Sequence, residues 1–276
     1  MIAFLRYLRH GPLSFLSPLW VLLGSVYRFV LSKSGSLVQV EHYIGSYGPF
    51  KMDGEFSFSN FKEWGGEHNN GFDACVKAAE DAKCFLDVGG HIGLVTMPVA
   101  SMMKSKGVVH VFEPASANLK HLKSHVSSNH LDNVIIVNSL VGDQEKNHVD
   151  FFEQATATGQ NALAVKKDHD KYHKTTRSQV TLDNYCEKNL LSPDIIKIDV
   201  EGAEWFVLNG AREILKTFQP RIFLSLHPVE LTLLGKDVSA VMSLIEELGY
   251  CCYEIDGSPA KEFMLAEYLL MPCIKG

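Results

Sequence analysis

Short apolar runs separated by longer amphipathic segments dominate the chain from residue 84 onward. Runs of this kind, rich in Val, Ile and Phe and bounded by turn residues, read as buried strands. They predict strands at Cys84–Val88, Val108–Phe112, Val134–Val137, Val149–Glu153, Val180–Leu182, Ile195–Ile198, Arg221–Leu226, Tyr250–Glu254 and Glu267–Met271. Helices are expected at 93–105, 116–128, 204–218 and 238–248, with a short one opening at Asp183. Alternating strands and helices predict an α/β fold with a doubly wound, mostly parallel sheet, here seven-stranded. The last two strands flank a turn at Asp256-Gly257 and form an antiparallel C-terminal edge.

The first 83 residues are patterned differently. Residues 11–27 carry no charge, and arginines flank them. As a helix this run would span about 25 Å, against a bilayer hydrocarbon core of about 30 Å, and Pro18 interrupts it. Three readings stand: a helix packed on the rest of the chain or over its site, a helix lying on a membrane surface, and a true span. The basic flanks are balanced and give no orientation. No small-x-small site follows clearly enough to mark a cleaved signal peptide. Residues 34–83 hold a strand at Val38–Ile44, turns at Gly45–Gly48 and Asp53-Gly54, and a helix from Phe72 to about Ala82. The polar loop Trp64–Gly71 reads either as a cover over a ligand or as ordinary surface. The expected organisation is a hydrophobic, basic helical segment (1–33), a lead-in or cap (34–83) and a main domain (84–276).

Net charge is −6 over 276 residues, and residues 1–33 contribute +4 through Arg6, Arg9, Arg28 and Lys33 with no acid. The remainder therefore carries −10, the difference between −6 and +4. An acidic body argues against nucleic acid as a partner, because phosphate backbones require basic surface. The six cysteines show neither C-x-x-C nor a disulfide-framework spacing. A reducing, cytoplasmic setting is expected, with peripheral membrane contact through residues 11–31 as an accompanying reading. Nothing in the pattern speaks to oligomeric state.

Candidate chemistry gathers where strands end. Cys84–Val88 breaks into Gly89-Gly90-His91-Ile92-Gly93, so Asp87, Gly89, Gly90, His91 and Gly93 form a D-x-G-x-x-x-G turn between strand and helix. A dinucleotide fingerprint would be G-x-G-x-x-G with its pyrophosphate on the helix N-terminus. An acid in that place suits a cationic cofactor, and S-adenosylmethionine carries both an ammonium and a sulfonium. Glu113 ends the second strand 20 residues past Gly93, where an acid grips the ribose hydroxyls of an adenosine. Its bland alternative is a capping or solvated acid. Ser139 and Asp143 follow the third strand and are expected beside the adenine.

The strand Ile195–Ile198 delivers Asp199, with Glu201 and Glu204 close behind. Carboxylates crowded together repel unless a cation, a metal or a substrate hydroxyl needs them. Glu204 also suits the N-terminus of the following helix. His227 ends the fifth strand and could take a proton near neutral pH. Asp199, Glu201 and His227 are therefore the catalytic candidates. A divalent ion at Asp199 and Glu201 is an alternative, and no metal is assigned. The pairs His121/His125 and His169/His173 have helical ligand spacing without an evident third ligand, so they are expected to be solvated.

These motifs resemble the FkbM-type S-adenosylmethionine-dependent methyltransferases. The resemblance runs through Leu86–Gly93, Val111–Pro114, Val141–Asp143, Val180–Asp183, Ile196–Glu204 and Leu226–Pro228, and the Lys197–Glu204 block is its most specific part. It implies a Rossmann-like class I methyltransferase that moves a methyl group to a hydroxyl of a sugar, glycolipid or natural-product acceptor. One departure stands out: Gly90-His91 replaces the family's usual Ala-Asn. Residues 1–60 are outside the matching motifs. Two other classes remain as alternatives: a catalytically idle, cofactor-binding adapter docked through the N-terminal segment, and a nicotinamide oxidoreductase.

Overall fold

The computed structural model describes residues 8–9, 11–34, 38–66, 69–103, 107–157, 161, 163 and 172–273. His169 lies outside the described residues. In chain order the main elements are α1 (Ser17–Ser34), β1 (Gln39–Ile44), β2 (Tyr47–Asp53), α2 (Phe72–Ala78), β3 (Cys84–Val88), α3 (Thr96–Met103), β4 (Val108–Phe112), α4 (Ser116–Ser128) and β5 (Val134–Val137). There follow β6 (Leu140–Val141), β7 (Lys146–Gln154), β8 (Tyr172–Val180), α5 (Leu182–Asn189), β9 (Ile195–Ile198), α6 (Glu204–Asn209) and α7 (Arg212–Phe218). The chain ends with β10 (Arg221–Leu226), α8 (Pro228–Leu233), α9 (Val238–Glu247), β11 (Tyr250–Tyr253) and β12 (Ala266–Pro272).

Seven strands form one sheet in the order β11-β12-β10-β9-β3-β4-β5. The five from β10 to β5 are parallel, and β12 and β11 close the edge antiparallel. β3 and β9 are buried along their whole length and β4 and β10 at all but their first residue, as sheets covered on both faces require. One apolar layer joins Leu86, Ile196, Leu224 and Leu244; the other joins Phe85, Met97, Val109 and Phe223. The β1–β2 hairpin adds Ile44, Phe50 and Met52 to the second layer.

Three local expectations change. The polar stretch 172–177, where no apolar run predicts a strand, forms the start of β8, which runs antiparallel to β7 from Tyr172 opposite Gln154 to Arg177 opposite Val149. Its threonines suit a strand that is exposed on one side. The single helix expected over 204–218 is two, broken at Gly210-Ala211. A Cβ at Gly210 would stand 2.0 Å from the carbonyl oxygen of Gly142, so the break is where the helix meets the main chain of a neighbouring turn. The cysteines are not all free: Cys251 and Cys273 are joined, with Cα atoms 5.2 Å apart. Cys251 pairs across the ladder with Met271, which sets the chain just past β12 within disulfide reach.

His121 and His125 also depart from expectation. Both are buried, at 4% and 0% exposure. His121 Nδ1 meets Asp53 Oδ2 at 2.6 Å, and His125 Nδ1 donates to the Ile92 carbonyl at 2.8 Å. The Asp53 N–H donates to His125 Nε2 at 3.0 Å. The pair thus ties β2 to α4. No helix among the described residues is long and apolar enough to cross a membrane. On α1, Tyr27 packs edge-on against Phe58 and bonds Ser57 at 3.0 Å, while Leu19, Val21, Leu22 and Val26 face outward.

Candidate active site

The chain progresses from β3 to β4 on one side and returns on the other at β9, so the strand order reverses between β3 and β9. In open α/β sheets a crevice forms there, off the carboxyl ends of the strands. A cavity of about 570 Å³ occupies that place, a size typical of small-molecule sites, which run roughly 300–1,000 Å³. Its wall includes Gly89, Gly90 and His91 after β3, Glu113 after β4, and Asp199, Glu201 and His227 after β9 and β10. Ser139 is also on the wall. Asp87, Gly93 and Asp143, expected to touch the cofactor, are not.

The turn after β3 is dictated by neighbouring main chain. Gly89 has φ +91°, and a Cβ there would lie 1.9 Å from the Asp199 carbonyl oxygen. A Cβ at Gly90 would meet Val111 Cγ2 at 2.0 Å. The Gly89 and Gly90 N–H groups both donate to the Phe112 carbonyl at 3.0 Å, and Gly93 N–H donates to Gly90 at 2.8 Å. With these amides engaged internally, the turn does not present the row of donors a pyrophosphate uses. His91 has φ +51°, a left-handed conformation in which Asn, Asp and His are enriched among residues with a side chain. The exchange of Asn for His at this position is therefore conformationally mild. Burial lowers the His91 pKa to about 4, so the ring is neutral.

Asp87 lies beneath the turn. It is fully buried, accepts the Thr96 hydroxyl at Oδ2 at 2.6 Å, and has no partner at Oδ1. Burial raises its pKa, and the positive charge of Lys197 opposes that rise. Lys197, absent from the expected site, sits buried on β9 and donates to Asp199 Oδ2 at 2.9 Å. Burial alone would favour its neutral form, but the charges of Asp199, Asp87 and Glu267 outweigh that and hold the ammonium. For Asp199, burial favours the acid, and Lys197 and His227 more than reverse it.

Glu113 is an anchor for the turn as well as part of the wall. Its Oε2 accepts the His91 N–H at 2.8 Å, and its Oε1 accepts the Ala115 N–H at 2.8 Å and the Asn118 amide at 3.3 Å. Burial pushes its pKa up to about 7 against those bonds. Ser139 donates from Oγ to the carbonyls of Leu140 and Ser178, each at 3.0 Å.

At the tips of β9 and β10 the chain is shaped to gather acids around an imidazole. Glu201 has φ +49° and Gly202 φ +100°, a left-handed pair that turns the chain back before α6. Glu204 is fully buried and receives His227 Nδ1 at 2.7 Å and the Gly202 N–H at 3.0 Å, both on Oε1. That leaves His227 Nε2 toward Asp199 Oδ1 at 3.7 Å and Glu201 Oε2 at 3.9 Å. Burial lowers the His227 pKa, but the bond to Glu204 and the charges of Asp199, Glu204 and Glu201 lift it to about 9. Burial pushes Glu201 up to about 7, against the pull of His227.

The remaining walls come from segments that no motif marks. Trp64 and Asn69 bring the loop before α2 onto the cavity, Phe151 brings β7, and Asn161 and Leu163 bring the β7–β8 connection. That hairpin is fastened to the segment after β4. Arg177 Nε donates to the Pro114 carbonyl at 2.6 Å and Nη2 to Glu153 Oε1 at 2.8 Å, while the Ser116 N–H donates to Glu153 Oε2 at 2.8 Å.

A parallel sheet of this order, closed by an antiparallel edge and carrying a D-x-G-x-x-x-G turn at its reversal, is a Rossmann-like class I methyltransferase fold. The model of the methyltransferase FkbM domain matches residues 87–252, and the chain belongs to that family. Similar solved structures include the FkbM methyltransferase from Methylobacillus flagellatus KT, at 19% identity and TM-score 0.42, over 69% of this chain and 44% of that one. Another is a putative caffeoyl-CoA O-methyltransferase from Staphylococcus aureus, at 14% identity and TM-score 0.45, over 73% of this chain and 82% of that one. A third is an O-methyltransferase from Bacillus cereus in complex with SAH, at 12% identity and TM-score 0.39, over 74% and 80%. The chain covers less than half the length of the Methylobacillus protein. Comparison with curated proteins gives no match.

Proposed function

We propose that the chain binds S-adenosylmethionine in this cavity and methylates a hydroxyl of a sugar, glycolipid or natural-product acceptor. The observation that carries the reading is the convergence of Glu113, His91, Asp199, Glu201 and His227 on one cavity at the sheet's reversal. When bound, the cofactor supplies a methyl group whose C–S bond breaks as a C–O bond to the acceptor forms, the electron pair staying on sulfur. The donor set fits such a group. Glu113 Oε2 retains acceptor capacity beyond its single bond to His91, as a ribose hydroxyl needs. His91 Nε2 is buried without a partner, and its neutral ring adds no charge against a cationic ligand. Asp199 and Glu201 supply negative charge beside it. Trp64 and the β7–β8 hairpin narrow the cavity, and the enzyme's work is alignment of acceptor oxygen and methyl carbon. The acceptor hydroxyl must also give up its proton near His227, Asp199 and Glu201.

Titration calorimetry with S-adenosylmethionine and with NAD tests the first half. Heat with the methyl donor alone supports the reading, and binding of NAD alone overturns it. A transfer screen against glycans, lipids and hydroxylated metabolites, read by a gain of one methyl mass, tests the second. Donor binding with no product from any acceptor favours the idle-adapter alternative. The outward apolar residues of α1, Leu19, Val21, Leu22 and Val26, support docking of this segment to a membrane surface. Vesicle flotation that is unchanged in Leu22→Glu would remove that support.

A further inference from the structure

Two groups among the described residues bring three metal-capable side chains within 4.8 Å: Asp53, His121 and His125, and Asp199, Glu201 and His227. The first is self-satisfied. Both ring nitrogens of His125 are engaged, one by the Ile92 carbonyl and one by the Asp53 N–H, at 2.8 and 3.0 Å. No lone pair on that ring is left for an ion.

The second group is built differently. His227 is oriented through Nδ1 by a fully buried carboxylate, Glu204, at 2.7 Å, and only Nε2 faces the cavity. A metal-binding histidine almost always has its second nitrogen held by a carboxylate or carbonyl in this way, which fixes the tautomer that leaves a lone pair for the ion. Asp199 has the same division of roles: Oδ2 is taken by Lys197 at 2.9 Å and Oδ1 points toward His227. Glu201 offers Oε2 at 3.9 Å from the same nitrogen. Two cis ligands bound at about 2.1 Å to an octahedral ion stand about 3.0 Å apart. The observed 3.7 and 3.9 Å close to that spacing with shifts of just under an ångström.

Charge points the same way, by a separate route. Glu204 Oε2 is buried without any partner. Three carboxylates, Asp199, Glu201 and Glu204, stand around the one imidazole. A divalent cation would take the place of the proton that otherwise makes His227 their counter-ion. Glu230 also lines the cavity here.

We infer that Asp199, Glu201 and His227 form a divalent-cation site, with Glu204 as the residue that positions His227, and that the cation binds the oxygen of the acceptor. One imidazole and two carboxylates suit a hard or borderline ion such as Mn²⁺. The remaining coordination positions face the cavity, where two neighbouring hydroxyls of a polyol or sugar could bind. Cation-bound oxygen loses its proton more readily, and that proton leaves to solvent while the oxygen pair attacks the methyl carbon. The acceptor part of this inference rests on the proposed methyl-transfer reading; the cation site itself does not.

The test uses the full chain, stripped of metal by chelation and titrated with Mn²⁺ by electron paramagnetic resonance and calorimetry. One Mn²⁺ per chain is expected. Affinity should fall at least tenfold in Glu201→Gln and in His227→Ala, and 10- to 100-fold in Glu204→Gln, the range seen when the partner of a ligating histidine is removed. His121→Ala should leave it unchanged. Circular dichroism melts of each variant identify any that fail to fold, and the near-isosteric Glu201→Gln keeps the test decisive if His227→Ala is among them. No Mn²⁺ binding by wild type, or binding lost in His121→Ala and kept in Glu201→Gln, overturns the site. Titration of S-adenosylhomocysteine into the metal-free protein runs alongside. Its binding without Mn²⁺ binding refutes the cation and leaves methyl transfer standing; the reverse supports the cation site and refutes the cofactor reading.

Discussion

Replacing Gly89 by alanine separates two uses of the glycine turn. In a ligand-cradle account the absent Cβ makes room for the cofactor. The structure gives a different reason: the Cβ would stand 1.9 Å from the carbonyl oxygen of Asp199, on the neighbouring strand. Two costs follow. A side chain at φ +91° sits in a left-handed region, worth about 1–2 kcal/mol. Forcing a methyl against fixed main chain is overpacking, worth about 1–3 kcal/mol more. Gly89→Ala should therefore lose about 2–5 kcal/mol of stability with no ligand present. The comparison variant is Gly235→Ala, where φ is +72° and nothing lies within 4 Å of the added Cβ. It should show only the first cost, about 1–2 kcal/mol. Urea denaturation of both, followed by far-ultraviolet circular dichroism and with the slope checked for constancy, measures the difference. Equal midpoints for the two variants would refute the packing account. Equal midpoints with S-adenosylhomocysteine binding lost only in Gly89→Ala would establish the cradle in its place.

Lys197→Met leaves Asp199, Asp87 and Glu267 without their shared cation and should cost about 3–5 kcal/mol, read as a lowered urea midpoint; a loss below about 1 kcal/mol would refute its role as counter-ion. Alkylation in denaturant without reductant should label Cys75, Cys84, Cys186 and Cys252 only, and reduction should add Cys251 and Cys273; six labels before reduction would refute the pairing. Acid should destabilise the fold through His91. Its pKa is lowered from 6.5 in a free chain to about 4 when folded, so the unfolded state takes up a proton first and stability falls as pH drops from about 6.5 to about 4. The full shift corresponds to about 3 kcal/mol. His91→Asn, which keeps a residue tolerant of positive φ, should flatten that slope, and an unchanged slope would assign it to His125 and His110, whose pKa values burial also lowers.

Much of the sheet was legible because buried parallel strands are nearly continuous apolar runs. Val108–Phe112 and Val134–Val137 are observed with the bounds their apolar runs set, as is helix Ser116–Ser128. The tips were legible for the same reason: where such a run stops at Glu113, Asp199 or His227, a polar residue must lie at the strand end. Strand β8 was not legible. Its sequence, Tyr172-His173-Lys174-Thr175-Thr176-Arg177, is polar because only part of it touches a core, and its partner β7 lies across a long excursion. The burial of His121 and His125 was hidden as well. Their spacing was visible, but the aspartate that receives His121 lies 68 residues earlier, and pairing at that distance is set by how the β1–β2 hairpin docks.

The site residues divide into two layers, and the division explains why the D-x-G-x-x-x-G motif is easy to see yet says little about contacts. Below the cavity floor, Asp87 bonds Thr96 and faces Lys197, and a Cβ added at Gly93 would lie 3.1 Å from Leu122; at the floor itself, Gly89 yields to the Asp199 carbonyl. These residues fix where the tips of β3 and β9 stand relative to each other. Above it, His91, Glu113, Asp199, Glu201 and His227 present atoms to the cavity. Main-chain geometry leaves few substitutes for the glycines and the buried acid, so they are easy to read in the sequence. The residues that meet ligands are constrained by what they bind, and a lone acid or histidine at a strand tip resembles many that bind nothing. Lys197 joins the layers: it is buried at the cavity's edge, and its bond to Asp199 Oδ2 determines which oxygen of that carboxylate is left to face the cavity.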